Sequence, residues 1–266
     1  MKLCGPLKKM RTLYSQPVRY ALEIDNTPVF LNTLFNRNVK MSYTGAISCF
    51  CGKTVDRVFR QNFCYDCFYS KPEAADFIMR PELSKAHTGM AERDLEWEKA
   101  YQLQDHIVYL ADSGGLKVGV TRLNQMFTRW MDQGASAAIV LAQTPNRYLA
   151  GCIEVALKQH ISDKTHVKKM LSGSLFPVDL KAEKERISAL IPDDLQGYVS
   201  KEHQEVFGFE YPMPAGFMHT KSLSLEPDAP IEGRFIGIRG QYWLFEGGRA
   251  LNIRNNEGKI VEIDWQ

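Results

Sequence analysis

The chain has 266 residues, of which 44% are hydrophobic and 24% charged, with a formal net charge of +2. This composition is ordinary for a globular protein and allows one or two domains with a sizeable core. The apolar runs fall far short of the roughly 20 residues of a membrane-spanning helix, and no apolar segment of a secretory signal follows the basic start, so we expect a cytoplasmic protein without a membrane partner.

The net charge conceals an uneven distribution along the chain. Residues 1–80 contain 12 Lys and Arg against 6 Asp and Glu, and residues 106–170 contain 8 against 4. Residues 171–232 contain 5 against 11. The basic excess suits a polyanion, and nucleic acid is the expected partner, although a patchwork of solvated faces explains the charge equally well. Nothing in the sequence indicates a protein partner.

The pattern of apolar and turn residues divides the chain into five segments. They are a β-rich segment at 1–48, a cysteine region with an acidic helical linker at 49–105, a strand-and-helix module at 106–170, an acidic helix with a Pro-rich linker at 171–232, and β-strands at 233–266. Because chain termini often lie close together, we expect the two β-rich ends to pair into one small barrel or sheet. The aromatic residues of the last segment, Tyr242, Trp243 and Phe245, could stack on nucleic-acid bases, but packing in the sheet core is the favoured interpretation.

Four of the six cysteines form two close pairs, Cys49-x-Cys51 and Cys64-x-x-Cys67. In a reducing compartment such pairs bind metal more often than they form disulfides, and four thiolates can surround one zinc ion. A closed shell of this kind is structural, since it leaves no position open for chemistry. The alternatives are buried free cysteines or a site that has lost its metal. His87 could be a further ligand, but a lone histidine is more often a surface residue.

Residues 106–170 alternate strands and helices. The predicted elements are a strand at 106–111, a turn at 113–115, a strand at 116–121, a helix at 124–133, a buried strand at 137–142, and a helix from 144 to about 160. Thr144 is the expected N-cap of the last helix, and Pro145 its first helical residue. The order β-β-α-β-α, together with the cysteine region and the β-rich ends, predicts an α+β protein.

Several residues of the segment 106–170 resemble the motifs of a known family. Val108-Tyr109, then Lys117-Val118-Gly119, Arg129 on a helix and Glu154 on the next helix resemble the GIY-YIG nucleases. That resemblance implies a GIY-YIG-like module with metal-dependent hydrolysis of phosphodiester bonds. More closely, the phrases HIVYLADSGGLKVGVTR, TRWMDQGA and AGCIEVALKQHISDKT resemble a bacterial family known only as a domain of unknown function, over about residues 35–266. It implies the architecture and no established activity.

The nuclease resemblance implies a role for each matching residue. Glu154 would hold a magnesium or manganese ion against a phosphate oxygen. Arg129 would bind the scissile phosphate, since its planar guanidinium fits phosphate oxygens. Tyr109 would orient or deprotonate the attacking water. The plain alternatives are a solvated arginine, a surface glutamate and a core aromatic.

The second motif of the family departs from its usual pattern here, because Lys117 stands in place of a tyrosine. A lysine is a general base only if burial lowers its pKa, and it is otherwise a cation that binds phosphate. Gly119 would let the hairpin backbone pass close to the site. Thr121 or Arg122 would contact the phosphate backbone.

Two functions of different classes follow from these residues. The first is a metal-dependent nuclease, which the co-occurrence of Tyr109, Arg129 and Glu154 favours. The second is a non-catalytic zinc-containing module that binds nucleic acid, which Lys117 favours. An enzyme acting on another phosphate-bearing substrate is a more distant alternative. We expect the nuclease, and a nuclease requires the three residues to converge on one cleft.

Overall fold

The computed structural model describes residues 2–163, 165–172 and 177–266. The protein is mixed α+β, with several sheets and a cysteine cluster. The chain divides into two compact units. The first combines Met1–Phe68 with Phe209–Gln266, and the second is Tyr69–Gly208. No helix within the described residues is long and apolar enough to cross a lipid bilayer.

The N-terminal part of the first unit is built mostly from strands. They are β1 (Lys2–Pro6), β2 (Arg11–Leu13), β3 (Arg19–Ile24), β4 (Thr27–Phe30), β5 (Asn38–Ser48) and β6 (Thr54–Val55), followed by helix α1 (Tyr65–Ser70). Strand β3 buries Tyr20, Leu22 and Ile24, which alternate with less buried residues, because successive side chains of a strand point to opposite faces. Strands β2, β3 and β4 form an antiparallel sheet of their own.

The second unit mixes helices and strands. Its elements are α2 (Asp76–Met79), α3 (Leu95–Gln102), β7 (His106–Asp112), β8 (Leu116–Arg122), α4 (Met126–Asp132), β9 (Ala137–Thr144), α5 (Arg147–Leu157), α6 (Val167–Ser172), α7 (Leu180–Ser188) and β10 (Phe207–Gly208). From β7 to α5 the elements follow the order β-β-α-β-α that the sequence predicts.

The C-terminal part of the first unit adds strands to the N-terminal ones. They are β11 (Lys221–Leu223), β12 (Ile231–Arg239), β13 (Tyr242–Phe245), β14 (Arg249–Asn252) and β15 (Lys259–Trp265). The sheet order is β1-β15-β5-β12-β13-β14-β11, with β6 paired to β5. Strand β15 lies between two N-terminal strands, so both ends of the chain build one sheet, as expected. Trp243 and Phe245 are fully buried, which agrees with packing of these aromatics in the core.

The sheet of the second unit has the strand order β10-β9-β7-β8. Its central strand β7 is buried along its whole length. Residues Val108 and Leu110 of β7 join a hydrophobic core with Ile153 and Leu157 of α5 and with Leu180 of α7. Because β7 pairs with β8 and β9 on its two sides, its side chains have fixed neighbours on both strands.

The predicted start and end of helix α5 were wrong. Thr144 does not cap the helix, because it pairs with His106 as the last residue of β9. The N-cap is Asn146, whose Oδ1 accepts a hydrogen bond from the backbone N–H of Leu149 at 3.0 Å. The helix then ends at Leu157. Long-range strand pairing therefore outweighed a local capping signal.

The helix predicted at 124–133 is also shorter in the structure. A 3-10 turn, Leu123–Gln125, comes first, and α4 begins at Met126. Gly134 follows the helix with a φ of +68°, a left-handed conformation that suits a glycine after a helix end.

Helix α5 packs closely on the short 3-10 helix Pro81–Leu83 through Gly151. A Cβ at this position would clash with the backbone N of Glu82 and with the carbonyl carbon of Pro81. Backbone atoms cannot move aside as the end of a flexible side chain can. The glycine therefore sets the distance between α5 and this segment.

We predict that Gly151→Ala lowers the free energy of unfolding by about 1–3 kcal/mol, the range for overpacking a tight contact. A shift of the melting temperature by about 2–4 °C per kcal/mol should report it. The matched control is Gly197→Ala, since a Cβ at Gly197 meets no atom within 4 Å. Equal melting temperatures for the two variants would show that the contact at Gly151 is not tight.

Candidate active site and cysteine metal centre

The backbone of the first unit brings the two cysteine pairs together. The N–H of Gly52 donates to the carbonyl oxygen of Cys49 at 2.8 Å, and the φ of +84° at Gly52 closes this tight turn. The N–H of Cys64 donates to Cys49 Sγ at 3.1 Å, which joins the second pair to the first. The four sulfur atoms of Cys49, Cys51, Cys64 and Cys67 lie within 4.8 Å of one another. Ligands at about 2.3 Å from one tetrahedral metal ion would have sulfurs about 3.8 Å apart, so the four cysteines could hold a metal ion.

The electrostatics of the cysteine cluster also suit a cation. In the absence of a metal charge, burial and hydrogen bonds from Cys51, Cys64 and Cys49 raise the pKa of Cys67 to about 12. Four crowded thiols cannot all ionise on their own, whereas a bound dication stabilises the thiolate forms. His87 does not belong to this group, and its ring stacks on Tyr148 at 4.4 Å.

The second candidate site begins with one cross-strand pair in the other unit. Tyr109 of β7 is fully buried and lies opposite Gly119 of β8. A Cβ on Gly119 would lie 2.5 Å from Tyr109 Oη and 2.7 Å from Cζ, so the tyrosine ring occupies the space of a side chain at position 119. The ring also makes an edge-to-face contact with Trp130 of α4 at 5.8 Å. Gly119 is thus required for the position of Tyr109 more directly than for backbone approach.

The hydroxyl group of Tyr109 donates a hydrogen bond within the protein. It donates to Oε1 of Gln133 at 2.7 Å. Burial raises the pKa of Tyr109, and the nearby charge of Arg129 opposes that shift. At neutral pH the phenol therefore stays protonated, and its oxygen can only accept a further hydrogen bond.

Lys117 lies on the same face of β8 as Gly119, because residues two apart along a strand share a face. Its side chain is buried, with 4% exposed, and its Nζ donates to Oγ1 of Thr165 at 3.3 Å. Burial and, to a smaller extent, the charge of Arg129 lower the pKa of Lys117 to about 8, while Asp163 acts in the opposite direction. A large fraction of this amine is neutral at slightly basic pH.

Glu154 of α5 is a buried carboxylate, with 8% exposed. Burial raises its pKa, and Lys158 opposes the shift. The Nζ of Lys158 lies 3.4 Å from Oε2 of Glu154 and 3.3 Å from Oδ2 of Asp163. Lys158 thus joins the buried carboxylate to a more exposed one.

The positive charge of Arg129, on α4, interacts with other groups of this site. Its charge acts on the pKa of both Tyr109 and Lys117, and the charge of Glu154 also acts on both. The buried Nε of Arg129 has no hydrogen-bond partner among the described residues. Tyr109, Lys117, Arg129 and Glu154 are therefore near enough for their charges to interact, and we call these four residues the tyrosine–lysine cluster.

Thr121 and Arg122, the two other residues predicted to contact substrate, lie on opposite faces of β8. Thr121 shares the face of Lys117 and Gly119 and is 7% exposed. Arg122 belongs to the opposite face, where its guanidinium carbon lies 4.9 Å from the ring centre of Tyr101. The structure therefore does not bring Arg122 to the same face as Thr121.

Sequence reasoning missed three residues that contact the cluster, Gln133, Lys158 and Thr165. Two of them had a local signal, since Gln133 and Lys158 each stand one helical turn after a predicted residue. Thr165 had none, because the pairing of Lys117 with Ser162 brings it to the site. Lys164, in the same stretch, lies outside the described residues.

The family of this protein follows from a comparison of the chain with known protein families. The chain matches the model of DUF2797, a protein family of unknown function, over residues 36–261. The protein belongs to the DUF2797 family. The match includes the cysteine cluster and the tyrosine–lysine cluster of this DUF2797 protein. No curated protein and no solved structure matches the chain.

We predict that Cys67→Ser removes the bound metal from the DUF2797 protein and lowers its melting temperature, because a structural metal contributes directly to folding. Elemental analysis of the purified protein and thermal unfolding measure the two effects. Cys4→Ser is the control, since Cys4 is exposed and outside the cluster. Identical metal content in both variants would contradict a metal centre at these cysteines.

Proposed function

We propose that this DUF2797 protein is a metal-dependent nuclease that hydrolyses phosphodiester bonds of nucleic acid through a GIY-YIG-like module at residues 106–170. The observation that carries the proposal is the convergence of Tyr109, Lys117, Arg129 and Glu154. These residues come from two strands and two helices, and a scaffold has no evident need to gather them. The order β-β-α-β-α supports the same module.

Arg129 is proposed to bind the scissile phosphate. A guanidinium offers several donors in one plane, which fits phosphate oxygens. Its buried Nε has no hydrogen-bond partner among the described residues, so the chain does not satisfy every donor of this guanidinium. Tyr109, whose pKa is raised by burial, would hold this arginine in place through its phenol oxygen, and so acts as a positioning residue.

Lys117 is the better candidate for the general base. The protonated hydroxyl of Tyr109 donates a hydrogen bond to Gln133 and has a raised pKa, so it does not accept a proton from water. Burial instead brings the pKa of Lys117 to about 8, close to the pH at which a base is efficient. With such a pKa, a lysine in place of the tyrosine of GIY-YIG nucleases can still act as a general base.

Glu154 is proposed to hold a magnesium or manganese ion. Such ions use one or two carboxylates and complete their shell with waters and substrate phosphates, so one buried carboxylate fits. Bound there, the metal would polarise a phosphate oxygen. Lys158 contacts Glu154 at 3.4 Å and would have to move toward Asp163, to which it is already bonded.

The cysteine cluster is proposed to hold a structural zinc ion. Four thiolate ligands in a tetrahedron favour zinc, and their closed shell leaves no position for substrate. Zinc would then fix the fold of this segment and take no part in hydrolysis.

A non-catalytic module that binds nucleic acid is the second candidate. The contact of Lys158 with Glu154 favours it, because a lysine neutralises the carboxylate without any metal. Such a protein would keep the basic residues of the cluster for phosphate binding alone.

We predict that Glu154→Gln reduces cleavage of labelled DNA or RNA in manganese or magnesium by at least about 100-fold, the order seen when one stabilising group of a transition state is removed. The amide keeps the shape of the side chain and loses its charge. Glu185→Gln, at an exposed position of α7, is the matched control and should cleave normally. If the unmodified protein binds nucleic acids and cleaves none of them, the binding module is the correct function.

We predict that kcat/KM for cleavage rises with pH and levels off near pH 8. Below its pKa of about 8 Lys117 is protonated and cannot accept a proton, and above that value it is neutral. Lys117→Arg keeps the positive charge but remains protonated at every accessible pH, so it should lose most activity and the pH dependence. An active Lys117→Arg variant with the same pH profile would show that Lys117 serves only as a cation.

A further inference from the structure

Residues 49–67, which we call the knuckle, expose three large aromatic side chains. Phe50 is 57% exposed, Phe59 43% and Tyr65 62%. We call these residues the aromatic surface of the knuckle. Exposed rings leave apolar area in water that burial would stabilise, so their concentration in so short a stretch indicates contact with a ligand.

Two of these rings lie beside cysteines of the cluster. Phe50 stands between Cys49 and Cys51, and Tyr65 directly follows Cys64, so a metal at the cluster would fix the backbone beside both rings. A ligand that binds side chains already held in place costs less conformational entropy.

A tight turn fixes the third ring. The N–H of Phe59 donates to the carbonyl oxygen of Phe63 at 2.7 Å, and Gln61 and Asn62 between them have positive φ values of 49° and 64°. Phe59 contacts Tyr65 edge-to-face at 5.3 Å and Phe68 at 5.1 Å. These two ring contacts restrict the orientation of Phe59 and Tyr65.

Cations are interleaved with the rings. Lys53, Arg57 and Arg60 are exposed, and the guanidinium carbon of Arg60 lies 5.8 Å from the ring centre of Phe59 and 5.7 Å from that of Phe68. The same stretch carries the carboxylates of Asp56 and Asp66. A ligand that satisfies both the rings and the cations must have planar faces and negative charges at short, regular intervals.

We propose that the aromatic surface of the knuckle binds single-stranded nucleic acid. Bases would stack on Phe50, Phe59 and Tyr65, while Arg60 and its neighbouring cations contact the phosphates. A duplex hides its base faces inside the stack, so the surface favours a single strand. The choice of nucleic acid rests on the proposed function of the tyrosine–lysine cluster, but binding here requires no cleavage.

The test compares variants of the full-length, metal-loaded protein, all carrying Glu154→Gln so that no strand is cut. A fluorescent single-stranded oligonucleotide of DNA or RNA and the matching duplex are titrated, and anisotropy gives the affinity. The test variant is the double substitution Phe50→Ser and Tyr65→Ser. Phe30→Ser is the control, because Phe30 is 66% exposed on strand β4, outside the knuckle. Metal content and melting temperature are measured for each protein.

The expected result is a loss of affinity of at least about tenfold for the single strand in the double variant, with metal content and melting temperature unchanged and a smaller effect on the duplex. Arg60→Gln should weaken binding and reduce its salt dependence. Equal affinities in the double variant and in the Phe30→Ser control would overturn the proposal, as would equal losses for single strand and duplex. Failure of the proposed nuclease would be distinguishable, since it would leave this loss of binding intact while the protein with Glu154 cleaves nothing.

Discussion

The position of one tyrosine ring determines the geometry of the tyrosine–lysine cluster. Tyr109 comes from a strand that is buried throughout, so it cannot shift along the sheet, and its ring fits because Gly119 opposite has no side chain. Its hydroxyl and its ring edge then contact Gln133 and Trp130 at the end of α4. Arg129 lies on the same helix one turn before Gln133. These contacts fix the position of the helix and therefore of Arg129. The residue proposed to bind phosphate thus depends on the absence of a side chain at Gly119.

The cations at the tyrosine–lysine cluster outnumber the carboxylates near them. Lys117, Arg129 and Lys158 face two carboxylates, Glu154 and Asp163. The lowered pKa of Lys117 shows that burial and the arginine charge both oppose its ionised form. A phosphate group would stabilise the charged forms of Lys117, Arg129 and Lys158 at close range and would oppose ionisation of the carboxylates. Both proposed functions involve such a ligand, and the arrangement therefore argues for a polyanion before it argues for hydrolysis.

Local signals in the sequence were sufficient for much of the fold. Glycines in the turn at 113–115, between two predicted strands, predicted the hairpin of β7 and β8, and spacing predicted the cysteine cluster. The predictions failed where a distant segment decides the outcome. Thr144 has the side chain of a cap, yet pairing with His106 keeps it in a strand. Thr165 reaches Lys117 only because Ser162 pairs beside β8. The burial that lowers the pKa of Lys117 likewise depends on packing that no local pattern encodes.

The position of Lys158 separates the two proposed functions in physical terms. A lysine and a glutamate one turn apart on a helix contribute only about 0.3–0.5 kcal/mol at the surface, whereas burying the carboxylate is costly. Stability alone therefore gives little reason to keep Glu154 at 8% exposure with Lys158 as its neighbour. The side chain of Lys158 is 34% exposed and already reaches Asp163, so it can leave Glu154 without entering a less polar environment. Its departure would leave a buried negative charge without a partner, and a divalent cation would neutralise that charge. The proposed nuclease therefore requires Lys158 to give way to a divalent cation at Glu154, whereas the proposed binding module keeps the pair intact.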